Sequence, residues 1–184
     1  MSTLILVRHA EPVDDMRGRC YGTLDVGLSE RGVADAETLA SRLSDGYETV
    51  YTSPRTRALE TAKPLAAARG VPLEVDERLR EIDFGSFEGR TYEEIEQTEP
   101  ELFRAWMETP TSVRFPGGES YTDVRSRALT AYDEIRAAHG CAVVVSHGGV
   151  IRAGLGAWLR MPDEAIFFLS SSTSSPRSSL RPSS

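Results

Sequence analysis

Four short runs of apolar residues, separated by stretches with helical periodicity, constrain the fold of this chain more than any other feature. These predicted strands are residues 4–7, 49–52, 71–75 and 142–145. Strands that are apolar along their whole length are typical of parallel sheets, because helices cover both faces of such sheets. We therefore expect an α/β fold of three layers, with a mostly parallel sheet and helices on both faces.

Capping signals predict where the helices begin and end. The expected helices cover about 29–44, 53–69, 120–139 and 149–161. Ser53-Pro54 predicts a helix start, with Ser as the cap and Pro at the first position, where its missing N–H costs nothing. Thr91-x-x-Glu94 and Thr98-x-x-Glu101 both match the capping box of short helices. Trp106 and Trp158 are expected to pack rather than to contact a substrate.

Composition indicates one globular domain followed by a tail. Of the 184 residues, 40% are hydrophobic and 27% are charged, so we expect a folded domain over residues 1–169. Residues 170–184 are mostly Ser and include almost nothing apolar, so they are predicted to form a disordered tail. A formal net charge of −7 disfavours a nucleic-acid-binding surface.

Cysteine content and hydropathy bound the cellular setting. Cys20 and Cys141 are too few and too far apart for a disulfide framework. No segment is long and apolar enough for a membrane span, and the first residues lack the basic leader of a secretory signal. We therefore expect a cytoplasmic protein without a membrane partner.

Chemically versatile residues follow three of the predicted strands. Arg8-His9 comes after the first, Ser53–Arg57 after the second, and Ser146–Gly149 after the strand at 142–145. Ligands of parallel sheets collect at the carboxyl ends of the strands, where loops lead into helix N-termini. The three loops are therefore expected to open on one edge of the sheet.

These loops carry groups suited to a phosphate. A neutral imidazole such as His9 is a good nucleophile toward phosphorus, and the adjacent Arg8 can bind phosphate oxygens in a fork. Arg57 follows a predicted helix start, where free N–H groups attract anions, although Arg55 competes for this role. The glycines after His147 would let the backbone approach a ligand, although a plain turn histidine is the alternative.

A proton donor for the leaving oxygen is expected among the carboxyl groups that follow Leu79. Phosphoryl transfer from an alcohol ester needs such a proton, and a partly desolvated carboxyl can supply it. Glu81 is the first candidate, and Asp83 and Glu88 are its rivals. The residue types and spacing alone do not rank the three.

Several motifs together resemble those of one protein family. The run LVRHAEP at residues 6–12 is similar to the RHG signature of the histidine phosphatase superfamily, which has a phosphoglycerate-mutase-like fold. The similarity continues in the family's order through residues 25–32, 53–62, 79–89 and 145–149. The resemblance thus extends from residue 4 to about residue 168.

This resemblance implies a role for each candidate residue. It implies that the chain is a metal-independent phosphomonoesterase, without a cofactor, in which His9 becomes a phosphohistidine and Glu81 donates the proton. The phosphoryl group would be held by Arg8, Arg57 and His147, with Arg57 preferred to Arg55 because it directly precedes Ala58. Tyr21 and Gly22 fall where the family lines its substrate pocket.

The chain departs from the family's pattern in three places. Ala10 replaces the Gly that follows the nucleophile, and Asp15 replaces an Asn that usually contacts phosphate. Because an anion at position 15 repels phosphate, we expect no direct contact from it. The Ser-rich end replaces further sheet-forming sequence, which indicates a truncated or frameshifted end and a sheet that lacks an edge strand.

Other segments indicate a substrate. Residues 17–22, 24–26 and 115–120 are similar to the α-ribazole phosphatase branch, which implies hydrolysis of α-ribazole 5′-phosphate in cobalamin biosynthesis. A broad-specificity phosphatase of sugars or other small molecules is the main alternative. The segment between Glu81 and His147 is short, whereas mutases that resemble this family usually have a longer insertion there, so a mutase is disfavoured. An inactive phosphate-binding module is the remaining alternative.

Overall fold

The computed structural model of this chain describes residues 2–13, 16, 18–43, 45–162 and 165–166. The predicted tail at residues 170–184, the end of the predicted domain at residue 169 and the predicted role of Asp15 lie outside these residues. Among the described residues, no helix is long and apolar enough to cross a membrane.

The sheet contains four described strands. They are β1 (Thr3–Arg8), β2 (Thr49–Thr52), β3 (Leu73–Val75) and β4 (Cys141–Ser146), in the spatial order β1-β4-β2-β3. Each of the three pairings is parallel, and the β1–β4 register sets Arg8 opposite Ser146. The mostly parallel sheet predicted from the apolar runs is thus confirmed, although β3 begins two residues later than expected.

Six α-helices are present in the described part of the chain. They are α1 (Glu30–Arg42), α2 (Thr56–Arg69), α3 (Tyr92–Thr98), α4 (Pro100–Glu108), α5 (Tyr121–Ala138) and α6 (Gly148–Trp158). Ser29 caps α1 by accepting a hydrogen bond from the Gly32 N–H. The capping box of Thr91 and Glu94 is confirmed, because each side chain accepts a hydrogen bond from the other residue's N–H.

Two predicted helix starts are wrong. Helix α2 begins at Thr56 rather than at Ser53, because the Asp25 carboxylate from a distant loop accepts hydrogen bonds from the Thr56 N–H and hydroxyl. Thr98 does not cap α4, because it is the last residue of α3 and its hydroxyl donates to the Glu94 carbonyl. Helix α4 begins instead at Pro100, whose missing N–H suits a first helical position.

Alternate residues of β4 divide the core into two layers. Ala142 and Val144 pack in one apolar cluster with α5 and α6, whereas Val143 and Val145 pack in a second cluster with α1 and α2. All four side chains are fully buried. Successive strand residues point to opposite faces, so these clusters confirm the three-layer architecture.

Candidate active site

His9 and His147 lie side by side at the carboxyl ends of adjacent strands. They directly follow Arg8 and Ser146, which are paired in the β1–β4 register, and their ring centroids are 5.2 Å apart. Both side chains are buried. Two of the three predicted loops therefore meet in one site, as the parallel topology requires.

The hydrogen bond of His9 fixes its tautomer. Its Nδ1 lies 2.8 Å from the Ala10 carbonyl oxygen, and because a carbonyl only accepts, Nδ1 carries the proton. Burial lowers the pKa of His9 to about 3, helped by the positive charges of Arg57 and Arg8 and opposed by the bond to Ala10. The ring is therefore neutral near pH 7, and Nε2 presents a lone pair.

His147 is held by the loop that follows β2. Its Nε2 lies 2.7 Å from the Ser53 hydroxyl, and that hydroxyl also accepts a hydrogen bond from the Arg55 N–H. Nδ1 of His147 is buried and finds no hydrogen-bond partner among the described residues. Burial, followed by the positive charge of Arg57, lowers the pKa of His147 well below its usual value. Ser53 thus contacts His147 in the site, whereas the sequence predicted it as the cap at the start of α2.

The Arg57 guanidinium is fully buried and binds the loop after Cys20. It donates to the carbonyl oxygens of Tyr21 (2.9 Å), Gly22 (3.4 Å) and Leu24 (3.0 Å), and it stacks on the Tyr21 ring with 4.8 Å between Cζ and the centroid. Within the described structure, its Nε is buried without a partner. Burial also lowers the pKa of Arg57, since a charge so enclosed lacks hydration.

Two neighbouring cavities open beside His9. The His9 cleft, of about 310 Å³, is lined among others by Arg8, His9, Glu11, Arg19 and Tyr21. The aromatic cavity, of about 120 Å³, is lined by Arg19, Glu81 and Arg152 together with the rings of Phe84, Tyr92, Trp106, Phe115 and Tyr121. Arg8, Arg19, Tyr21 and Tyr92 line both, so the two cavities are adjacent and share these wall residues.

Gly22 lines neither cavity. It is buried, and a Cβ at this position would lie 1.6 Å from the Ile82 carbonyl oxygen, so only glycine permits this close approach. Its N–H donates to the Glu88 carboxylate. Gly22 therefore places its neighbour Tyr21 at the wall of the site.

The three rival carboxyl groups differ in what they contact. One oxygen of Glu88 accepts hydrogen bonds from the N–H groups of Gly22, Thr23 and Phe84. Asp83 accepts from the Gly85 N–H at 2.8 Å. Glu81 is the one of the three that lines the aromatic cavity, and its carboxylate contacts the Gly149 N–H at 3.2 Å. Tertiary structure thus separates alternatives that spacing did not.

The aromatic cavity contains a residue that the sequence prediction placed only in the core. Trp106 is buried and packs against the rings of Phe84, Tyr92, Phe103 and Phe115, as predicted for a packing residue. It nevertheless lines the cavity, and so does Arg19, which was not singled out individually. Trp158 is exposed, and its ring is tilted against that of Tyr132, with 5.3 Å between the centroids. Helical spacing indicates that an aromatic residue is buried but not that its edge faces a cavity.

Comparisons with known proteins give a consistent result. The Histidine phosphatase superfamily (branch 1) matches residues 4–175. Phosphoserine phosphatase 1 of Hydrogenobacter thermophilus is 42% identical over 156 residues, which are 83% of this chain and 74% of that protein. A metal-independent phosphoserine phosphatase of Arabidopsis thaliana is 33% identical over 160 residues, 83% of this chain and 67% of that protein.

Solved structures also resemble this fold. A mycobacterial glucosyl-3-phosphoglycerate phosphatase superposes with a TM-score of 0.82 and 31% identity, over 91% of this chain and 84% of that chain. The α-ribazole phosphatase of Shigella flexneri superposes with a TM-score of 0.76 and 27% identity, over 90% of this chain and 83% of that chain. These similarities extend over nearly the whole three-layer fold.

Proposed function

Because this chain belongs to the histidine phosphatase superfamily and is a metal-independent phosphoric monoester hydrolase, we propose that it works through a phosphohistidine at His9. The observation that carries the proposal is the pair of imidazoles whose ring centroids are 5.2 Å apart. One ring presents an unprotonated Nε2, and the other has a buried Nδ1 without a described partner. A phosphoryl group between them would meet a nucleophile on one side and a donor on the other.

In the first step, His9 Nε2 attacks the phosphorus atom and the ester P–O bond breaks. Arg8 and the Nε of Arg57 would bind the phosphoryl oxygens together with His147. The hydroxyl of Ser53 can donate to Nε2 of His147, which leaves the proton on Nδ1, next to the anion. The leaving oxygen takes a proton from the Glu81 carboxyl and departs as an alcohol.

In the second step, water attacks the phosphohistidine. Glu81, now a carboxylate, accepts the proton of the attacking water, the P–N bond breaks, and inorganic phosphate is released. His9 Nε2 recovers its lone pair and Glu81 its proton, so the site returns to its starting state. Glu81 lines the cavity from which the alcohol and the water would approach.

The substrates are small phosphate esters, and we propose α-ribazole 5′-phosphate, from cobalamin biosynthesis, as the first candidate. The rings of the aromatic cavity support this assignment, because the benzimidazole of that ester is flat and largely apolar. Tyr21 forms the shared wall between this cavity and the His9 cleft. A cytoplasmic location is part of the proposal, since charged metabolites of this kind stay inside the cell.

Phosphoserine is the second candidate. The identity of 42% to phosphoserine phosphatase 1 supports it, and so do Arg19 and Arg152 at the aromatic cavity, which suit a carboxylate. A phosphatase of broad specificity is the third candidate. The three candidate functions predict different relative rates for different phosphate esters.

The test measures phosphate release in EDTA from α-ribazole 5′-phosphate, phosphoserine, a sugar phosphate and p-nitrophenyl phosphate. We expect activity in EDTA, an acid-labile phosphate on the quenched protein, and loss of both in His9→Ala. A kcat/KM at least about tenfold higher for α-ribazole 5′-phosphate supports the first candidate, whereas equal values contradict any specific assignment. Activity that survives His9→Ala would reject the mechanism.

A further inference from the structure

The segment that carries Glu81 has little regular structure of its own. It lies between two short 3₁₀ turns, Glu77–Leu79 and Gly85–Phe87, outside every strand and α-helix. The Glu81 carboxylate is bound by the N–H groups of Ile82 and Gly149. A general acid must be held to within a fraction of an ångström, so the backbone of this segment needs support from elsewhere.

Arg127 on α5 supplies that support with all five of its N–H groups. Its Nη1 donates to the carbonyl oxygens of Arg78 and Arg80, both at 2.6 Å, and its Nη2 donates to the Glu81 carbonyl at 3.2 Å. The remaining two donors bind the Glu119 carboxylate at 2.9 Å each. The side chain is only 12% exposed, so these bonds compete little with water.

Glu119 holds the other side of the same segment. Its carboxylate accepts hydrogen bonds from the Asp83 N–H and from the Arg80 guanidinium, both at 3.1 Å. Its backbone N–H donates to the Asp83 carbonyl at 2.9 Å. Arg127 therefore binds residues 78, 80 and 81, and Glu119 binds residues 80 and 83, so Glu81 is bracketed on both sides.

We propose that Arg127 and Glu119 are positioning residues that hold the Glu81 carboxyl at the leaving oxygen of the substrate. The inference rests on the proposed function, in which Glu81 is the proton donor. Neither side chain lines the His9 cleft or the aromatic cavity, so each acts through the segment that carries Glu81. The two side chains of this ion pair also form charge-assisted hydrogen bonds with the backbone of the segment. Such bonds restrict the position of the segment through their distances and directions.

Leaving groups of different basicity separate this role from general stabilisation. An alkoxide leaves only with a proton, whereas p-nitrophenolate leaves with little help, so a misplaced acid slows the first kind of ester selectively. Benzyl phosphate and p-nitrophenyl phosphate both present one flat ring to the aromatic cavity. The ratio of their kcat/KM values therefore measures proton donation to the leaving group rather than differences in how the two rings bind. Because it is a ratio of kcat/KM values, it covers the reaction from free enzyme and substrate through phosphoryl transfer to His9.

The experiment compares Arg127→Met and Glu119→Gln with Arg78→Met as the matched control. Arg78 also joins this region to α5, through Glu134 at 2.7 Å, but its side chain forms its described hydrogen bonds and ion pairs with Asp76 and Glu134 rather than with residues 80–83. We expect Arg127→Met to lower kcat/KM for benzyl phosphate by about 100-fold and for p-nitrophenyl phosphate by less than about fivefold. Glu119→Gln should also lower the ratio of kcat/KM for benzyl phosphate to that for p-nitrophenyl phosphate. The ratio for Arg127→Lys should lie between those of wild type and Arg127→Met, and Arg78→Met should leave it unchanged.

Glu81→Gln separates failure of the inference from failure of the proposed function. If Glu81→Gln changes the ratio as strongly as expected and Arg127→Met and Glu119→Gln do not, the inference is overturned. If Glu81→Gln itself leaves the ratio unchanged, the proposed acid is wrong. The double variant Arg127→Met with Glu81→Gln should have the same ratio of kcat/KM for the two esters as Glu81→Gln alone. Additive effects of the two substitutions on this ratio would contradict action through Glu81. Glu119→Gln nearly keeps the shape of the side chain, so it remains informative if Arg127→Met does not fold.

Discussion

The Glu81 carboxylate accepts a hydrogen bond from the backbone N–H of Gly149, with 3.2 Å between the two heavy atoms. Gly149 is the second residue of α6, and His147 immediately precedes that helix. The first N–H groups of a helix are free and carry its positive dipole end, so they stabilise an anion there. One helix start therefore orients both the proposed acid and a proposed phosphate ligand.

Gly149→Ala is expected to impair catalysis without loss of stability. An added Cβ would lie 2.4 Å from Glu81 Oε1, so the carboxylate has to move, whereas alanine favours the helix more than glycine does. We expect kcat/KM for alkyl phosphates to fall by about tenfold or more and the urea midpoint to stay or rise. Gly156→Ala in the same helix is the control, because its Cβ would be 3.5 Å from Ile166. Equal activity of Gly149→Ala and wild type would contradict the placement of Glu81.

Arg57→Lys is expected to weaken phosphate binding more than Arg55→Lys does. A lysine cannot contact the carbonyl oxygens of both Tyr21 and Leu24 and also present a donor to the anion. We expect the inhibition constant of inorganic phosphate to rise by about tenfold in Arg57→Lys and by less than about twofold in Arg55→Lys. The reverse order would assign the phosphate to Arg55, the rival that the sequence left open.

The lowered pKa of His9 predicts a specific dependence of stability on pH. In the unfolded chain, the His9 ring binds a proton below its pKa of about 6.5. In the folded chain, the same ring stays neutral until the pH falls to about 3. The contribution of His9 to the free energy of unfolding is therefore fully present above the unfolded pKa and is lost as pH falls toward 3.

His9→Gln should remove this dependence. Relative to wild type, the variant should gain up to about 1.4 kcal/mol in free energy of unfolding for each pH unit below about 6. Urea unfolding of both proteins between about pH 7 and pH 4.5 measures the difference. A constant difference across this range would mean that His9 titrates normally in the folded state.

Trp106→Ala is expected to destabilise the fold far more than Trp158→Ala. Trp106 is 7% exposed and contacts four aromatic rings, whereas Trp158 is 37% exposed at the end of α6. We expect a loss of about 3–5 kcal/mol for Trp106→Ala and less than half of that for Trp158→Ala. Denaturant titration followed by circular dichroism gives both values, and similar losses would show that the cluster around Trp106 is not part of the core.

The pattern of apolar and helical segments was enough to predict the layers of the fold and the edge of the sheet where the site lies. Apolar strands alternating with helical segments allow a covered parallel sheet, and the carboxyl ends of such strands meet at one edge. The same topology predicts that His9 and His147 lie at one edge of the sheet. The predicted starts of α2 and α4 were wrong, because they depend on the distant Asp25 and on where α3 ends.

Which groups lie beside those histidines depends on contacts between residues that are far apart in the chain. Glu81, Asp83 and Glu88 share one short stretch, and what separates them is the contact each makes with residues far away in the chain. The Arg127–Glu119 pair and the aromatic cavity arise in the same way, from packing of α5 and α4 against that stretch. Periodicity records how a residue relates to its own helix or strand, whereas hydrogen-bond partners across the fold are fixed only when the layers pack.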